Sequence, residues 1–220
     1  LQQWQGRSEQ QVDMLNPVQV AALEATLDDE PRIVAGAPLP WLWHWMFFQP
    51  AARQSELGRD GHPSRGGFLP PVPLPRRMWA GSRLFWQSGN PLQVGQKVTR
   101  RATVKSVAHK SGRSGELVFV QVEHSYENAQ GLALREEQDI VYRAAARPDV
   151  TPPAPQKPKF AGQATWSRQI HPDPVFLFRY SALTFNGHRI HYDRSYAMQE
   201  EGYPGLVVHG PLIATLLLDL

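Results

Sequence analysis

The first regular pattern of apolar residues along the chain has a helical period. Val20, Leu23 and Leu27 recur at the spacing that places side chains on one face of an α-helix. Asn16 is a favourable N-cap residue, and Pro17 suits the first helical turn. The sequence therefore predicts a short amphipathic helix over residues 17–27.

A second apolar segment, residues 41–48 (WLWHWMFF), has no polar face. A helix that is apolar on every side has to be buried all round, so this segment is predicted to be a central core helix. His44 lies inside it. Because buried polar groups are normally paired, we interpret His44 as a core histidine with one hydrogen bond.

The period of the pattern changes after a long irregular stretch. Residues 49–75 are rich in Gly, Pro, Arg and Ser, a composition typical of a loop that covers a binding site. Beyond it apolar residues alternate, which predicts strands joined by turns and paired antiparallel in chain order. The predicted strands are residues 79–86, 97–109, 116–126 and 132–142. A helix followed by a meander that wraps it is the hotdog arrangement.

A proline-rich stretch divides the chain. Residues 147–159 (RPDVTPPAPQKPK) contain five prolines and no large apolar residue, which is typical of an extended, solvated connection. A proline-rich signalling ligand is the alternative interpretation of this composition. We therefore predict an N-terminal domain over residues 1–146, a linker over 147–160 and the start of a C-terminal domain over 161–220.

The second half repeats the outline of the first. It predicts a strand over residues 165–170, helices over 173–180 and 195–201, and a strongly apolar helix over 211–220. Each half thus holds one apolar helix at the same relative place. The predicted fold class is α+β, a tandem (double) hotdog in which an antiparallel sheet wraps a central apolar helix.

The second predicted unit is shorter than the first, because no meander follows its apolar helix. Five residues of that helix lack a predicted covering sheet: Leu212, Ile213, Leu216, Leu217 and Leu220. Burial of each such side chain is worth roughly 1.5–3 kcal/mol, so exposing all five would be a liability. We expect a truncated second unit with residues missing after Leu220; the alternative is that another chain covers the helix.

Composition and charge narrow the class of protein. With 41% hydrophobic and 20% charged residues, the 220-residue chain has the balance of a globular protein. The absence of cysteine excludes disulfide scaffolds, thiolate zinc sites and cysteine nucleophiles. No apolar stretch approaches the roughly 18–20 residues that span a bilayer, so no membrane segment is predicted. The net charge of +3 is scattered without a long basic run, which argues against a nucleic-acid partner.

Chemistry-bearing residues are concentrated in residues 180–197 (YSALTFNGHRIHYDRSYA). The loop between two predicted helices contains five of them: Asn186, His188, Arg189, His191 and Asp193. Polar crowding in a loop is more often functional than structural, which makes this loop the candidate site. The alternative is a surface loop with incidental histidines.

This segment resembles the R-specific enoyl-CoA hydratases, also called hydratase 2 or MaoC-like dehydratases. That family carries an aromatic residue, then Asp-x-Asn-Pro-aliphatic-His, then a small residue. The residues kept here are Tyr180, Leu183, Thr184, Ile190, His191 and Ala197. Residues 202–212 (GYPGLVVHGPL) resemble the Val-His-Gly element that opens the family's central hotdog helix. The resemblance implies that His191 is the catalytic histidine.

Three residues depart from the family motif. Asn186 stands at the position of the family's aspartate, His188 at that of its asparagine and Arg189 at that of its proline. The variant TFNGHRIHYD is similar to a sub-branch, the mitochondrial-type 3-hydroxyacyl-thioester dehydratases and the mesaconyl-C4-CoA (3-methylfumaryl-CoA) hydratases. In that sub-branch the whole chain is a tandem hotdog, and the first half of this chain also resembles the latter enzymes.

The resemblance implies a reaction that adds water to an enoyl thioester or removes it from a 3-hydroxyacyl thioester. Histidine titrates near neutrality, so His191 is predicted to shuttle the proton, a role typically worth about 10²–10⁴-fold. Asn186 cannot act as a base and is predicted to hold the water. His188 and Asp193 are candidates for a second titrating group; Asp193 alternatively orients a histidine or caps the following helix.

Substrate contacts follow from the same comparison. The backbone N–H of Gly210, at a helix start, is predicted to donate to the thioester carbonyl oxygen, and Gly205 is a second candidate. The resemblance also implies that Tyr180, the aromatic residue of the motif, contacts the substrate. A substrate carboxylate would require an arginine, for which Arg189 is one candidate and a solvent-facing arginine the alternative. The loop at residues 66–75 is expected to shape the acyl pocket, and the coenzyme phosphates are assigned to Arg76, Arg77 and Arg83.

These inferences predict a hydro-lyase for a short branched dicarboxylic acyl-CoA of the mesaconyl-C4-CoA type. The carrier can be coenzyme A or an acyl-carrier thioester; no separate cofactor or metal is expected, and a homodimer is a candidate assembly. The expected location is the bacterial cytoplasm or, second, the mitochondrial matrix. Two alternatives remain: a hotdog thioesterase, and a non-catalytic acyl-thioester-binding subunit, which the loss of the aspartate favours.

Overall fold

The computed structural model describes residues 1–112, 115–144, 162 and 164–220. Its strands are β1 (Ser8–Met14), β2 (Arg76–Trp86), β3 (Lys97–Gly112), β4 (Gly115–Asn128) and β5 (Gly131–Arg143). Its α-helices are α1 (Pro17–Leu27), α2 (Pro174–Leu183), α3 (Arg194–Gln199) and α4 (Gly210–Leu218). The predicted linker, residues 147–160, lies outside the described part of the chain.

The five strands form one antiparallel sheet in the order β1-β3-β4-β5-β2. The predicted pairing of β3 with β4 and of β4 with β5 is confirmed. The predicted pairing of β2 with β3 is wrong, because β2 lies against β5 at the edge of the sheet. The segment between β2 and β3 is not a tight turn: it buries Leu92 and Val94 in the core, and Leu92 accepts a backbone hydrogen bond from Leu39 at 2.7 Å.

The opposite edge of the sheet is β1, which the sequence pattern did not predict. Its sequence SEQQVDM is polar at most positions, and its exposed residues alternate with half-buried ones. It pairs with β3 from Ser8 opposite Thr103 to Met14 opposite Lys97. An edge strand with one partner and little apolar surface gives no hydrophobic alternation for a sequence to reveal.

Residues 41–48 are buried as predicted, but they do not form the predicted α-helix. Only Trp43–Met46 form a single 3-10 turn. Leu42 and Phe48 adopt left-handed backbone conformations with φ of 69° and 59°, which ends the helical conformation on both sides. The central α-helix of this half is instead α1, whose Val20, Leu23 and Leu27 are buried.

The predicted cap of α1 is confirmed, and α2 begins with a similar cap that was not predicted. Asn16 caps α1 by accepting a hydrogen bond from the backbone N–H of Val18 at 2.9 Å, and Asp173 caps α2 from Phe176 in the same way at 2.8 Å. The predicted strand over residues 165–170 is absent. A strand needs a partner for its backbone hydrogen bonds, and none of the described residues pairs with this segment.

One hydrophobic core draws on both halves of the chain. It combines residues of α1, the 3-10 turn and the sheet with Leu177 and Tyr180 of α2 and Leu212 of α4. Leu212 is fully buried and Leu216 packs against this core, so these two α4 leucines are covered by the described chain itself. Ile213, Leu217 and Leu220 are at least 48% exposed. No described helix has the length and apolar character that crossing a membrane requires.

Candidate active site

The polar loop identified in the sequence connects α2 to α3 and has a defined backbone. Thr184 ends α2, and Phe185 takes a left-handed conformation with φ of 48° that turns the chain. The Asn186 side-chain oxygen then accepts a hydrogen bond from the backbone N–H of His188 at 3.0 Å. A 3-10 turn over Arg189–His191 follows, and Asp193 caps α3. The loop is anchored by its own apolar residues, since Ile190 is buried beside Tyr196 and Ala197.

His191 is held by a backbone carbonyl. Its Nδ1 lies 2.7 Å from the carbonyl oxygen of Val207, and a carbonyl can only accept, so Nδ1 carries the proton. The other ring nitrogen, Nε2, is therefore the unprotonated one while the ring is neutral. Burial lowers the pKa of His191 to about 4 against the opposing effect of the Val207 hydrogen bond, which keeps the ring neutral at pH 7.

A second histidine stacks on the first. The rings of His191 and His209 are 3.7 Å apart and nearly parallel. His209 precedes α4, and its Nε2 lies 2.8 Å from the Ser181 hydroxyl. Burial lowers the pKa of His209 to about 3, helped by its neighbours His191 and His188. Two stacked imidazoles can share a buried site only because neither is charged.

A loop from the first half of the chain reaches this motif. Residues 56–64 form a small hairpin closed by backbone hydrogen bonds from Ser64 to Glu56 and from Gly58 to His62, both 2.7 Å. At its tip Asp60 accepts hydrogen bonds from the backbone N–H of His62 at 3.1 Å and from its ring Nδ1 at 3.0 Å. The tip therefore presents a carboxylate–imidazole pair.

The hairpin and the motif loop bring four imidazoles into one row. His62 is 4.1 Å from His188 between ring centroids, and His188 is 5.4 Å from His191 at a perpendicular angle. His209 completes the row behind His191. Burial lowers the pKa of His188 to about 3, and the charges of His62 and His191 act in the same direction.

The charge of the row is concentrated on Asp60. Burial acts to raise the pKa of this carboxyl, but the hydrogen bond and positive charge of His62 outweigh it and hold the pKa well below its usual range. Burial also lowers the pKa of His62, against the raising effect of Asp60. Near neutral pH the pair is therefore an ionised carboxylate and a neutral imidazole that donates Nδ1–H to it, leaving the lone pair on Nε2.

Three of these residues come close to a metal-binding arrangement. Ligand atoms of Asp60, His62 and His188 lie within 4.8 Å of one another. The Asp60 carboxylate and His62 Nδ1 already bond to each other at 3.0 Å, which engages one ligand atom of each. We therefore describe Asp60 and His62 as a hydrogen-bonded pair.

A cavity of about 1110 Å³ opens beside the row. Its wall near the motif includes His62, Asn186, Gly187, Arg189 and His209. His188 packs on His62 of this wall, and His191 stacks on His209. The cavity continues to the inner face of the sheet, where it is lined by a polar cluster: His44, Arg100, His124, Tyr126 and Glu136. This volume is slightly above the range of about 300–1,000 Å³ that is usual for small-molecule sites.

The other predicted catalytic residue of the motif, Asp193, is engaged elsewhere. Its carboxylate accepts a hydrogen bond from the backbone N–H of Tyr196 at 3.0 Å, as a helix cap, and two from the Arg189 guanidinium at 2.7 and 3.1 Å. Arg189 also stacks over the Tyr196 ring at 4.1 Å. The structure therefore brings His191, His188 and Asn186 together but turns Asp193 towards Arg189.

The predicted substrate-binding residues occupy different settings. Tyr180 lines the cavity with its ring 4.9 Å from that of His209, and burial raises the pKa of its phenol. Gly210 begins α4 with its Cα against Trp79, where an added Cβ would come within 2.9 Å of the indole. Gly205 has open space around its Cα.

The arginines assigned to the coenzyme phosphates also differ. Arg76 pairs with Glu201 at 3.4 Å, and Arg83 pairs with Glu137 and Asp139 on the sheet surface at 2.9 and 2.8 Å. Arg77, by contrast, lines the cavity. His44 is a core histidine as predicted, 2% exposed and 3.3 Å from a Glu136 oxygen.

Sequence reasoning missed the Asp60–His62 pair. The long loop was predicted to cover a site, yet its only Asp-x-His sequence, RDGHP at residues 59–63, was given no chemistry. That pattern was the available signal, because a carboxylate two residues from a histidine can fold back on it across a glycine.

Comparison with known proteins identifies the class. The profile of the hydroxyacyl-thioester dehydratase type 2 family matches residues 42–220. The chain therefore belongs to this family, as its motif suggested. Mesaconyl-C(4)-CoA hydratase of Chloroflexus aurantiacus is 50% identical over 218 residues, which cover 99% of this chain and 76% of that protein. The mitochondrial hydroxyacyl-thioester dehydratase type 2 of Schizosaccharomyces pombe is 28% identical, over 94% of this chain and 77% of its own.

Solved structures agree on the fold. HtdX of Mycobacterium tuberculosis superposes with a TM-score of 0.63 at 17% identity, covering 96% of this chain and 76% of HtdX. A Mycobacterium tuberculosis protein described as having a double hotdog fold superposes with a TM-score of 0.53 at 14% identity, over 96% of this chain and 72% of its own. The chain thus has hotdog-fold neighbours and an antiparallel sheet with helices.

Proposed function

We propose that this protein catalyses the reversible hydration of an enoyl thioester to a 3-hydroxyacyl thioester. The observation that carries the proposal is the setting of His191, whose Nδ1–H is fixed on the Val207 carbonyl so that a neutral ring keeps Nε2 as an acceptor. Membership of a dehydratase family and 50% identity to a hydratase support it.

Each part of the reaction has a candidate residue. His191 accepts a hydrogen bond from the attacking water through Nε2. Asn186 lines the cavity, and since its side-chain oxygen is bonded to the His188 N–H, its amide N–H groups remain to hold water. The backbone N–H of Gly210, in the first turn of α4, donates to the thioester carbonyl oxygen.

The substrate we propose is a short branched dicarboxylic acyl-CoA of the mesaconyl-C4-CoA type. The name of the Chloroflexus aurantiacus relative supports this class. The cavity supports it as well, because Arg77 lines its wall and provides positive charge for a carboxylate or phosphate group. Coenzyme A is part of the substrate, and no separate cofactor is invoked.

The organisation of the whole protein is proposed from the same comparisons. The double hotdog fold of the Mycobacterium tuberculosis neighbour supports a tandem hotdog for this family member, with the second unit starting within residues 161–220. We further propose a bacterial cytoplasmic location, in line with the bacterial relative, and a homodimeric assembly.

The test measures hydration of mesaconyl-C4-CoA and crotonyl-CoA by loss of the absorbance of the conjugated thioester. We expect turnover by the wild-type protein and a loss of about 100-fold in His191→Ala, because the attacking water loses the acceptor that positions it. His171→Ala, an exposed histidine outside the cavity, is the matched control and should retain full activity. Thermal unfolding of both variants shows whether the fold is kept.

Other outcomes separate the alternatives. Release of free thiol without hydration would indicate a thioesterase. Binding of either ester by a folded protein without any turnover would identify a non-catalytic thioester-binding subunit, the function that an amide at Asn186 favours.

A further inference from the structure

In the motif loop His191 holds the attacking water through Nε2, and the other polar side chains offer the cavity no free group that carries a proton. Asn186 is an amide, and Asp193 is engaged by Arg189 and by the first turn of α3. His209 lines the cavity but is 1% exposed and pairs with Ser181. His188 packs between the rings of His62 and His191, at 4.1 and 5.4 Å between centroids. Adding water across a double bond needs a group that carries a proton from the water to the carbon chain.

The hairpin at residues 56–64 is fastened to this loop by its backbone. The Arg189 backbone N–H donates to the Asp60 carbonyl at 2.9 Å, and its guanidinium donates to the Arg59 carbonyl at 3.1 Å. Gly61 and Gly187 meet backbone to backbone, because a Cβ on Gly61 would lie 1.9 Å from the Gly187 carbonyl oxygen. Such an approach is open only to glycine. The hairpin tip is therefore a fixed part of the site rather than a distant cover.

The contact places His62 where a proton carrier is needed. Its ring is 4.1 Å from His188 and lines the same cavity wall as Asn186 and Gly187. Its Nδ1 is fixed by the Asp60 carboxylate at 3.0 Å, which directs Nε2 away from Asp60. A carboxylate that holds one imidazole nitrogen both sets the tautomer and stabilises the imidazolium when it forms.

We infer that His62, positioned by Asp60, is the proton-carrying catalytic residue of this enzyme, a role that rests on the proposed hydratase function. His62 Nε2 takes a proton from the attacking water as the water oxygen bonds to the β-carbon. The π electrons of the double bond move to the enolate of the thioester. The His62 imidazolium, paired with Asp60, then gives that proton to the α-carbon. One water is added, and both histidine and carboxylate return to their starting states.

The test compares three variants of the full chain with the wild type on the better of the two esters. His62→Gln removes the proton carrier and is expected to lower kcat by at least about 100-fold with KM within about threefold. Asp60→Asn keeps the shape but removes the charge that raises the pKa of His62. Its kcat should fall less, and the acid limb of its pH–rate profile should move to lower pH. His109→Gln, in an exposed histidine–Glu116 pair on the sheet, should behave as wild type.

The outcomes are distinguishable. A wild-type protein that hydrates neither ester overturns the hydratase proposal and this inference together. An active wild type with undiminished turnover in a folded His62→Gln overturns the role of His62 alone. Lower activity in Asp60→Asn with an unmoved acid limb would mean that Asp60 only supports the hairpin, and that also contradicts the inference.

Discussion

Glu136 is a single carboxylate buried among hydrogen-bond donors on the inner face of the sheet. It is 1% exposed and accepts from the Ser82 hydroxyl at 2.6 Å and from the Trp45 indole at 3.2 Å. Tyr126 donates to it at 3.2 Å, and His44 lies at 3.3 Å. Burial acts to raise the pKa of Glu136, but His44 and the other donors outweigh it and lower the pKa to about 2. Its charge therefore organises the inner end of the cavity.

Removal of this carboxylate should be costly. Glu136→Ala leaves several buried donors without an acceptor, and each donor left unsatisfied typically costs about 1–3 kcal/mol of unfolding free energy. Glu137→Ala is the matched control, since Glu137 points to the other sheet face and pairs with Arg83 and Arg135, a surface arrangement worth about 0–1 kcal/mol. Urea unfolding of both variants measures the difference; equal losses would show that the cluster is not structural.

At the level of single residues, the sequence predicted part of the site. His191, His188 and Asn186 are close in the chain, so one motif revealed all three. Asp60 and His62 reach the motif only through a contact between segments more than 120 residues apart in number. Local sequence patterns cannot predict a contact between such distant segments. The family motif includes His188 and His191 but neither Asp60 nor His62.

At the scale of elements, the site depends on two loops that touch through Gly61 and Gly187. The hairpin keeps its shape through its own hydrogen bonds, and the motif loop keeps its shape through the caps and 3-10 turn around it. Their mutual position is set by the glycine contact and the two Arg189 hydrogen bonds. A change at this contact should displace His62 without disturbing either loop internally.

Gly61→Ala tests that position. Gly61 has φ of +87°, and Gly36 has φ of +84° with nothing within 4 Å of an added Cβ. Alanine therefore costs about 1–2 kcal/mol of backbone strain at either position, but only at Gly61 does it also strike the Gly187 carbonyl. We expect Gly61→Ala to lose about 100-fold in hydration rate, as for a catalytic group displaced by about 1 Å, and Gly36→Ala to remain active. Matching activities in the two variants would refute the importance of the contact.

The elements themselves were predicted unevenly, for identifiable reasons. Strands β3 to β5 and helices α1, α2 and α4 carry clear periodic patterns, and the structure confirms them. The edge strand β1 is polar and shows no hydrophobic alternation. Strand β2 pairs with β5, which is distant in sequence, and turn residues predict only the pairing of neighbouring strands. In residues 41–48 apolar composition predicted burial correctly, whereas the backbone at Leu42 and Phe48 prevents a helix.

In the molecule as a whole, the two halves share one core, and a hydrogen bond joins them at its edge. Arg168 donates to the Leu27 carbonyl at the end of α1 at 2.9 Å and pairs with Asp219 at 3.4 Å. Leu177 and Leu212 pack among residues of the first half. The described parts of the two halves therefore pack around a shared core, and the buried histidines contribute to its stability.

Acid should weaken this fold before its carboxylates are protonated. Burial lowers the pKa of His124 and His191 to about 4 and of His188 and His209 to about 3, against 6.5 as the ordinary value. Between these values the unfolded chain binds protons that the folded chain does not. The unfolding free energy is therefore fully retained above pH 6.5 and falls as the pH drops towards 4, by up to about 1.4 kcal/mol per pH unit for each histidine. The Glu136 contribution is lost lower, between its ordinary pKa of 4.5 and about 2.

His124 allows this slope to be tested away from the catalytic row. It is buried on β4 beside Glu136, and burial is the main cause of its lowered pKa. In His124→Gln the unfolding free energy, measured by urea titration from pH 7 to 4, should fall less steeply than in the wild type. His171→Gln changes an exposed histidine and should leave the slope as it is. A steep slope that survives in His124→Gln would assign the acid sensitivity to the histidine row at the active site instead.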